Sequence, residues 1–426
     1  MNKFADSKSA RRQVRKVLLD LGVREPVSHE RYLANLRRRF PEQAPRFLAE
    51  HDRLAAQGGE KHGLYAAKNA DPDFSLAITS QEFRPIHEGF LCWVLENVPS
   101  PPRRVLDLGC ESGLLSLALA KFWPETEFVG LDREAEAIRV AEQLAERGEI
   151  ESARFVEGDL QSLDMSAFGK FDLILAVAVF HELMEESGSE LAAPDSDGFS
   201  LDAAPMWDHG HEETLGRLIQ LTGDQGLLVT LNRWAYPDRT LQWTRAVNSC
   251  GWRTDFQRSQ VLRVGGRHRD DELLPVTVHL PGSPHSDDEL IDGVLAIHAG
   301  PELADSGQDL EFNGAAAEAF RRALGTAQRV VGFEMEYING SGTERIEVLA
   351  SGPLAMVYQS TTRGLRKIEL GTLARVPEFS ARVREYKRSK EAWVDSRTLE
   401  SEGAAAAVGP DDAPLQSDTL GILNGE

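Results

Sequence analysis

Hydrophobic positions recur at helical spacing through the first hundred residues and then change to alternating short apolar runs and amphipathic stretches. Val14, Val17, Leu18 and Leu21 form one i, i+3, i+4 stripe, Tyr32, Leu33, Leu36 and Phe40 a second, and Phe47, Leu48 and Leu54 a third. A break at Gly58-Gly59 leads to a further helical segment with Phe83, Ile86, Phe90, Val94 and Leu95, which Pro99-Ser100-Pro101-Pro102 stops. From Arg104 the pattern predicts strands near 104–108, 127–131, 153–157, 171–177 and 226–232. Helices are predicted near 113–123, 134–147, 211–221 and 238–249, and closing strands near 253–264 and 274–280. Strand and helix in alternation imply a parallel sheet covered on both faces. The expected fold class is α/β, a doubly wound seven-stranded Rossmann-like domain, with an N-terminal helical segment and a smaller C-terminal α+β domain.

The expected boundaries are a helical segment at 1–79 and the α/β domain at 80–282. A Ser, Asp, Gly and Pro-rich insertion at 185–210 has the length of a lid or binding loop. The α+β domain follows at 283–397. Its pattern predicts helices near 286–298 and 314–325, strands at 329–337, 344–350, 354–359 and 366–369, and a last helix at about 378–394. Asn339-Gly340-Ser341-Gly342 has hairpin chemistry between the first two of these strands. Residues 398–426, rich in Ala, Gly, Pro and Asp, read as a disordered tail.

Composition narrows the setting. A chain of 426 residues, 41% of them hydrophobic, can bury more than one core. No run of about 18 apolar residues or signal-like N-terminus occurs, so no membrane association and a cytoplasmic location are expected. Cys92, Cys110 and Cys250 are widely spaced and never paired as CxxC, which fits reduced thiols rather than a disulfide framework or zinc site. The net charge of −21 is uneven: residues 1–56 hold 13 basic against 7 acidic residues, and the remainder 34 against 61. An acidic body argues against nucleic acid as partner, although Arg37-Arg38-Arg39 and the basic run from Lys8 to Lys16 are local exceptions.

The densest chemistry lies in Val105-Leu106-Asp107-Leu108-Gly109-Cys110-Glu111-Ser112-Gly113, a buried strand, a Gly-rich turn and a helix start. Such a turn lets backbone approach a ligand and offers free N–H groups to an anion, but nucleotide cofactors of several kinds use one. Asp132 ends the second strand, where a carboxylate can accept two hydrogen bonds from ribose hydroxyls. Asp159 and Leu160 follow the third strand, a carboxylate and an apolar side chain suited to an adenine amino group and ring. The fourth strand begins Phe171-Asp172-Leu173 and is expected to run to Phe180-His181-Glu182-Leu183.

Taken together, VLDLGCESG, GLD, EGDL, FDLILAVAVFHEL and the turn Leu221–Val229 resemble the class I S-adenosylmethionine (SAM) methyltransferases over about residues 80–282. The resemblance implies SAM as cofactor, with Asp107, Gly109, Cys110, Glu111 and Gly113 around its methionine part. It implies Asp132 at the ribose, and Asp159 with Leu160 at the adenine. Glu111 departs from the family's pattern, which has glycine there. His181 and Glu182, at the expected end of the fourth strand, are the candidate catalytic residues; Asn232, Trp234 and Tyr236 flank the fifth. No metal site is expected, since His209 and His211 have no chelating partner at fixed spacing. The VFHEL ending resembles methyltransferases of small molecules, so a small-molecule acceptor with an oxygen or nitrogen nucleophile is expected. The alternatives are a protein or RNA acceptor, or a non-catalytic SAM-binding interaction protein. A homodimer through the C-terminal domain is a further expectation.

Overall fold

The computed structural model describes residues 7–57, 61–162, 168–186, 209–233, 237–265, 271–299, 327–338, 340, 342–352, 354–362 and 366–399. They fall into two compact units, one built from residues up to 186 with 209–233 and 242–285, the other from 237–241 and 286–399.

The first unit starts with six helices, α1 (Ser7–Asp20), α2 (His29–Arg39), α3 (Gln43–Gln57), α4 (His62–Lys68), α5 (Pro72–Glu82) and α6 (Arg84–Asn97). The helical segment expected around 83–98 is α6; α4 and α5 are additional. Helix α5 starts where Asp71 accepts the N–H groups of Asp73 and Phe74 and Pro72 occupies the first turn. Tyr32, Leu36, Ala44, Phe47, Phe74 and Ile78 from α2, α3 and α5 pack into one core with Phe40, which follows α2.

The sheet follows, with β1 (Arg104–Leu108), β2 (Glu127–Asp132), β3 (Ala153–Glu157), β4 (Phe171–Val177) and β5 (Thr222–Leu231) parallel. Helices α7 (Leu114–Phe122), α8 (Ala135–Arg147), α9 (Phe180–Glu186), α10 (His209–Leu221) and α11 (Pro237–Ser249) alternate with them. The closing strands are β6 (Trp252–Thr254), β7 (Gln260–Gly265) and β8 (Asp271–Pro281), the last antiparallel to β5. The order is β3-β2-β1-β4-β5-β8-β6, with β7 also on β8. Side chains alternate between two cores: Val105, Leu173, Leu175 and Val229 face one, and Leu106, Leu108, Ile174 and Leu228 the other.

Two local expectations change. The strand expected at 253–264 is two strands, because the Asp255 carboxylate accepts the N–H groups of Gln257 and Arg258 and folds the chain into a turn between them. The described part of the sheet therefore has eight strands rather than seven. The fourth strand stops at Val177; Ala178 takes φ 60°, and Phe180 to Glu186 form α9. His181 and Glu182 thus stand on a helix, not at a strand end.

In the second unit, α12 (Asp287–Ala299) precedes an antiparallel sheet of β9 (Gln328–Tyr337), β10 (Thr343–Ser351), β11 (Leu354–Thr361), β12 (Arg366–Thr372) and β13 (Val394–Thr398), ordered β12-β11-β10-β9-β13. Helix α13 (Val376–Lys390) sets Phe379 and Val383 against Met335, Val348 and Val357 of the sheet. The last helix is shorter than expected, and the chain returns as β13 beside β9. The helix expected at 314–325, most of the insertion and the tail lie outside the described residues. Among the described residues no helix is long and apolar enough to cross a membrane.

Candidate functional site

The carboxyl ends of β1, β2, β3, β4 and β5 open into one cavity of about 390 Å³. That volume lies within the roughly 300–1,000 Å³ of small-molecule sites. Asp107, Gly109, Cys110, Glu111, Asp132, Asp159, Leu160, His181 and Glu182 all line it, together with residues of α3 to α6. Gly113 stands at the start of α7 with φ 70°, next to Gly109 at 62° and Glu111 at 51°. Three left-handed residues within five positions fold the turn back beneath the cavity. Glycine adopts this conformation freely, whereas Glu111 bears the cost of its Cβ.

Asp132 is fixed by the backbone. Its Oδ2 accepts the Glu111 N–H at 2.8 Å and its Oδ1 the Glu134 N–H at 2.9 Å. Burial pushes this carboxyl up to about 6, against the lowering effect of those two hydrogen bonds. Asp107 is 2% exposed and accepts the Ser116 hydroxyl at 2.7 Å. Burial takes it to about 7, with the Asp132 charge adding to the rise. Asp159 is exposed and caps its own turn, its Oδ1 accepting the Gln161 N–H at 2.9 Å.

Helix α4 and Lys61 just before it supply what the sequence pattern does not reveal. Lys68, only 3% exposed, places its ammonium 2.5 Å from Glu111 Oε1 and 4.4 Å from the centre of the Phe83 ring. Burial alone would raise the Glu111 carboxyl; the charge and hydrogen bond of Lys68, with a smaller contribution from His87, bring it below its ordinary value. Tyr65 donates to Glu182 Oε1 at 2.6 Å, and Lys61 donates to the same oxygen at 3.3 Å. His62 Nδ1 lies 2.7 Å from Glu134 Oε1. Lys61, Tyr65 and Lys68 follow helical spacing, the one signal by which this face could have been read.

His181 is 7% exposed on α9. Asn232, 1% exposed, donates to the Thr230 hydroxyl at 3.3 Å, while Trp234 and Tyr236 lie outside the described residues. Among the described residues no group of three or more His, Cys, Asp or Glu is arranged to hold a metal ion.

Residues 100–197 match the family model described as a methyltransferase domain. This segment is a SAM-dependent methyltransferase domain of class I. Over 88 residues the chain is 36% identical to the O-antigen chain terminator bifunctional methyltransferase/kinase of Escherichia coli, covering 20% of this chain and 12% of that one. Over 87 residues it is 34% identical to the malonyl-[acyl-carrier protein] O-methyltransferase of Legionella pneumophila, covering 20% of this chain and 30% of that one. The chain thus spans less than a third of the length of either relative. Among solved structures, the human N-acetylserotonin methyltransferase in complex with SAM is similar over 59% of this chain and 70% of that one, with 15% identity and a TM-score of 0.35.

The residues around the cavity suit this cofactor in kind. A fixed carboxylate stands at the end of β2, an opposite-charge pair beside the Gly-rich turn, and Leu160 with Asp159 beyond β3.

Proposed function

We propose that the whole chain is a SAM-dependent methyltransferase acting on a small-molecule acceptor. The observation that carries this reading is a shared cavity. Phe47, Leu64, Ile78, Phe83 and Ile86 of α3 to α6 line the same space as Asp132 and Glu111. An apolar wall over the cofactor site suits an acceptor small enough to lie between helices and strand ends.

In this reading Asp132 accepts the ribose hydroxyls, and Asp159 with Leu160 holds the adenine. Asp107, Gly109, Cys110, Glu111 and Gly113 surround the methionine end. SAM supplies a methyl group on a sulfonium sulfur. The protein's own contribution is to hold the acceptor in line with that methyl and keep water away. His181 and Glu182 are the proposed acceptor-side groups. His181 is the better placed to take a proton, because Glu182 Oε1 already accepts from Tyr65 and Lys61. Incubation with methyl-labelled SAM and fractionated host extract is expected to put label into the small-molecule pool. Label confined to protein or RNA would overturn the acceptor assignment.

Losing a charge-assisted hydrogen bond costs roughly 1.5–3 kcal/mol. Asp132→Ala is therefore expected to weaken SAM binding on the order of tenfold to a hundredfold by calorimetry. The affinity also carries a pH signature, because the ribose hydroxyls need the ionised carboxylate and burial holds Asp132 at about 6. Affinity falls as pH drops through that value and is regained above it. Asp107, at about 7, titrates nearby, so the Asp132→Asn variant identifies the group: its affinity should lose the step near 6. Unchanged affinity in Asp132→Ala overturns the ribose assignment.

A further inference from the structure

The Lys68–Glu111 pair is an unusual feature of the floor of this cavity. Lys68 is almost wholly buried, comes from a helix outside the matched segment 100–197, and meets a carboxylate held on left-handed backbone. A buried ion pair has to offset the desolvation of both partners, and a strained non-glycine residue persists only where its surroundings hold it. Here three further contacts hold the same stretch of chain: Tyr65 and Lys61 on Glu182, and His62 on Glu134. The C-terminal end of α4 is fixed as well, where Asn69 donates to the Tyr65 carbonyl and accepts the Ser75 hydroxyl. Lys68 is thereby positioned against Glu111 from outside the Gly-rich turn.

We propose that this pair is a recognition site for the amino-acid zwitterion of SAM, with the Lys68 ammonium taking the α-carboxylate and the Glu111 carboxylate taking the α-ammonium. The inference rests on the cofactor reading given above and adds to it a pair of residues of this chain. A zwitterion entering the pair leaves each protein ion with a counter-charge, so neither Lys68 nor Glu111 is stranded in the cavity when they part. A ligand with only one of the two charges would leave one ion of the pair unmatched, and a ligand with neither would leave the pair closed on itself. Glutamate at a position where the resemblance leads one to expect glycine then has a purpose: with Lys68 it discriminates for an intact amino-acid end.

Calorimetry with two nucleosides tests this. S-adenosylhomocysteine carries the zwitterion; 5′-methylthioadenosine keeps the adenosine and thioether but lacks it. Lys68→Met alone strands Glu111 and can impair folding, so the decisive variant is the double Lys68→Met/Glu111→Gln, which removes both charges and keeps the packing. Its folding is checked by circular dichroism and thermal unfolding. Loss of two charge-assisted contacts is expected to lower S-adenosylhomocysteine affinity on the order of thirtyfold or more, with 5′-methylthioadenosine changed less than about threefold. An equal loss for both nucleosides would show a merely structural role and overturn the proposal, as would an undiminished S-adenosylhomocysteine affinity. If the unaltered protein binds neither nucleoside, the cofactor reading itself fails and this inference with it.

Discussion

Replacing Trp243 by alanine is expected to destabilise the first unit by about 3–5 kcal/mol, the cost of removing a large aromatic side chain from a filled core. Trp243 is fully buried against Phe180, with ring centroids 4.5 Å apart, and shares its core with Leu106, Leu108, Ile174 and Leu228 on one face of the sheet. The indole adds a polar contribution. Its N–H points at Thr230 Oγ1 and Thr277 Oγ1, each at 3.1 Å, and at His279 Nε2 at 3.2 Å. His279 is wholly buried, which pushes it down to about 3 and keeps it neutral. It can therefore accept at Nε2 while its Nδ1 pairs with Thr254 at 3.0 Å. The network ties β5, β6 and β8 together beneath the core. Trp243→Phe keeps most of the volume but withdraws the donor, and should cost about 1–3 kcal/mol for the buried acceptors left short of a partner. Urea unfolding of the three proteins, followed on the transition of this unit, gives the comparison. A Trp243→Ala shift below about 1 kcal/mol would mean that the core collapses around the gap.

The elements legible in the sequence are those whose signal is local. Strands β1 and β4 are buried on both faces and so read as continuous apolar runs, Val105-Leu106 and Leu173 to Val177. The Gly-rich turn is legible because left-handed backbone favours glycine, and the carboxylates of Asp107, Asp132 and Asp159 are legible because strand ends open onto the site. Failures occur where the signal is weak or distant. The run Ala176-Val177-Ala178-Val179-Phe180 keeps its apolar character while the backbone turns at Ala178 and starts α9, so no change of residue type marks the end of β4. Likewise β6 and β7 read as one strand, because a single aspartate makes the turn between them. Helix α4 is seven residues long, and Lys61, Tyr65 and Lys68 are too few positions at helical spacing to set it apart from any other polar stretch. Its polar face has meaning only through carboxylates far along the chain, such as Glu182, 117 residues from Tyr65. The strand-end half of the candidate site was thus readable in advance, and the half contributed by α4 was not.

The floor of the site gives the second large effect. Gly113→Ala is expected to cost about 2–5 kcal/mol, from about 1–2 for a Cβ on left-handed backbone and about 1–3 for overpacking. The overpacking follows from the surroundings. A Cβ at Gly113, whose φ is 70°, would stand 2.5 Å from Cε1 and Cζ of Phe155 and 2.9 Å from the Ala141 Cβ. Phe155 is 8% exposed and belongs to the core between the sheet and α8, so it has little room to give way. Gly109→Ala probes the same turn at its other end, where φ is 62° and the added atom would stand 2.6 Å from Val179 Cγ2. There the obstacle is a single side chain on the cavity wall, and the expected loss is smaller in stability and larger in cofactor binding. Gly216→Ala in α10 is the control: nothing lies within 4 Å of the place its methyl group would take, and alanine favours the helix by roughly 0.5–1 kcal/mol. Thermal unfolding should therefore place Gly113→Ala well below the unaltered protein and Gly216→Ala at or above it. If Gly113→Ala unfolds with the unaltered protein, the left-handed turn is not what holds Glu111 and Asp132 in register.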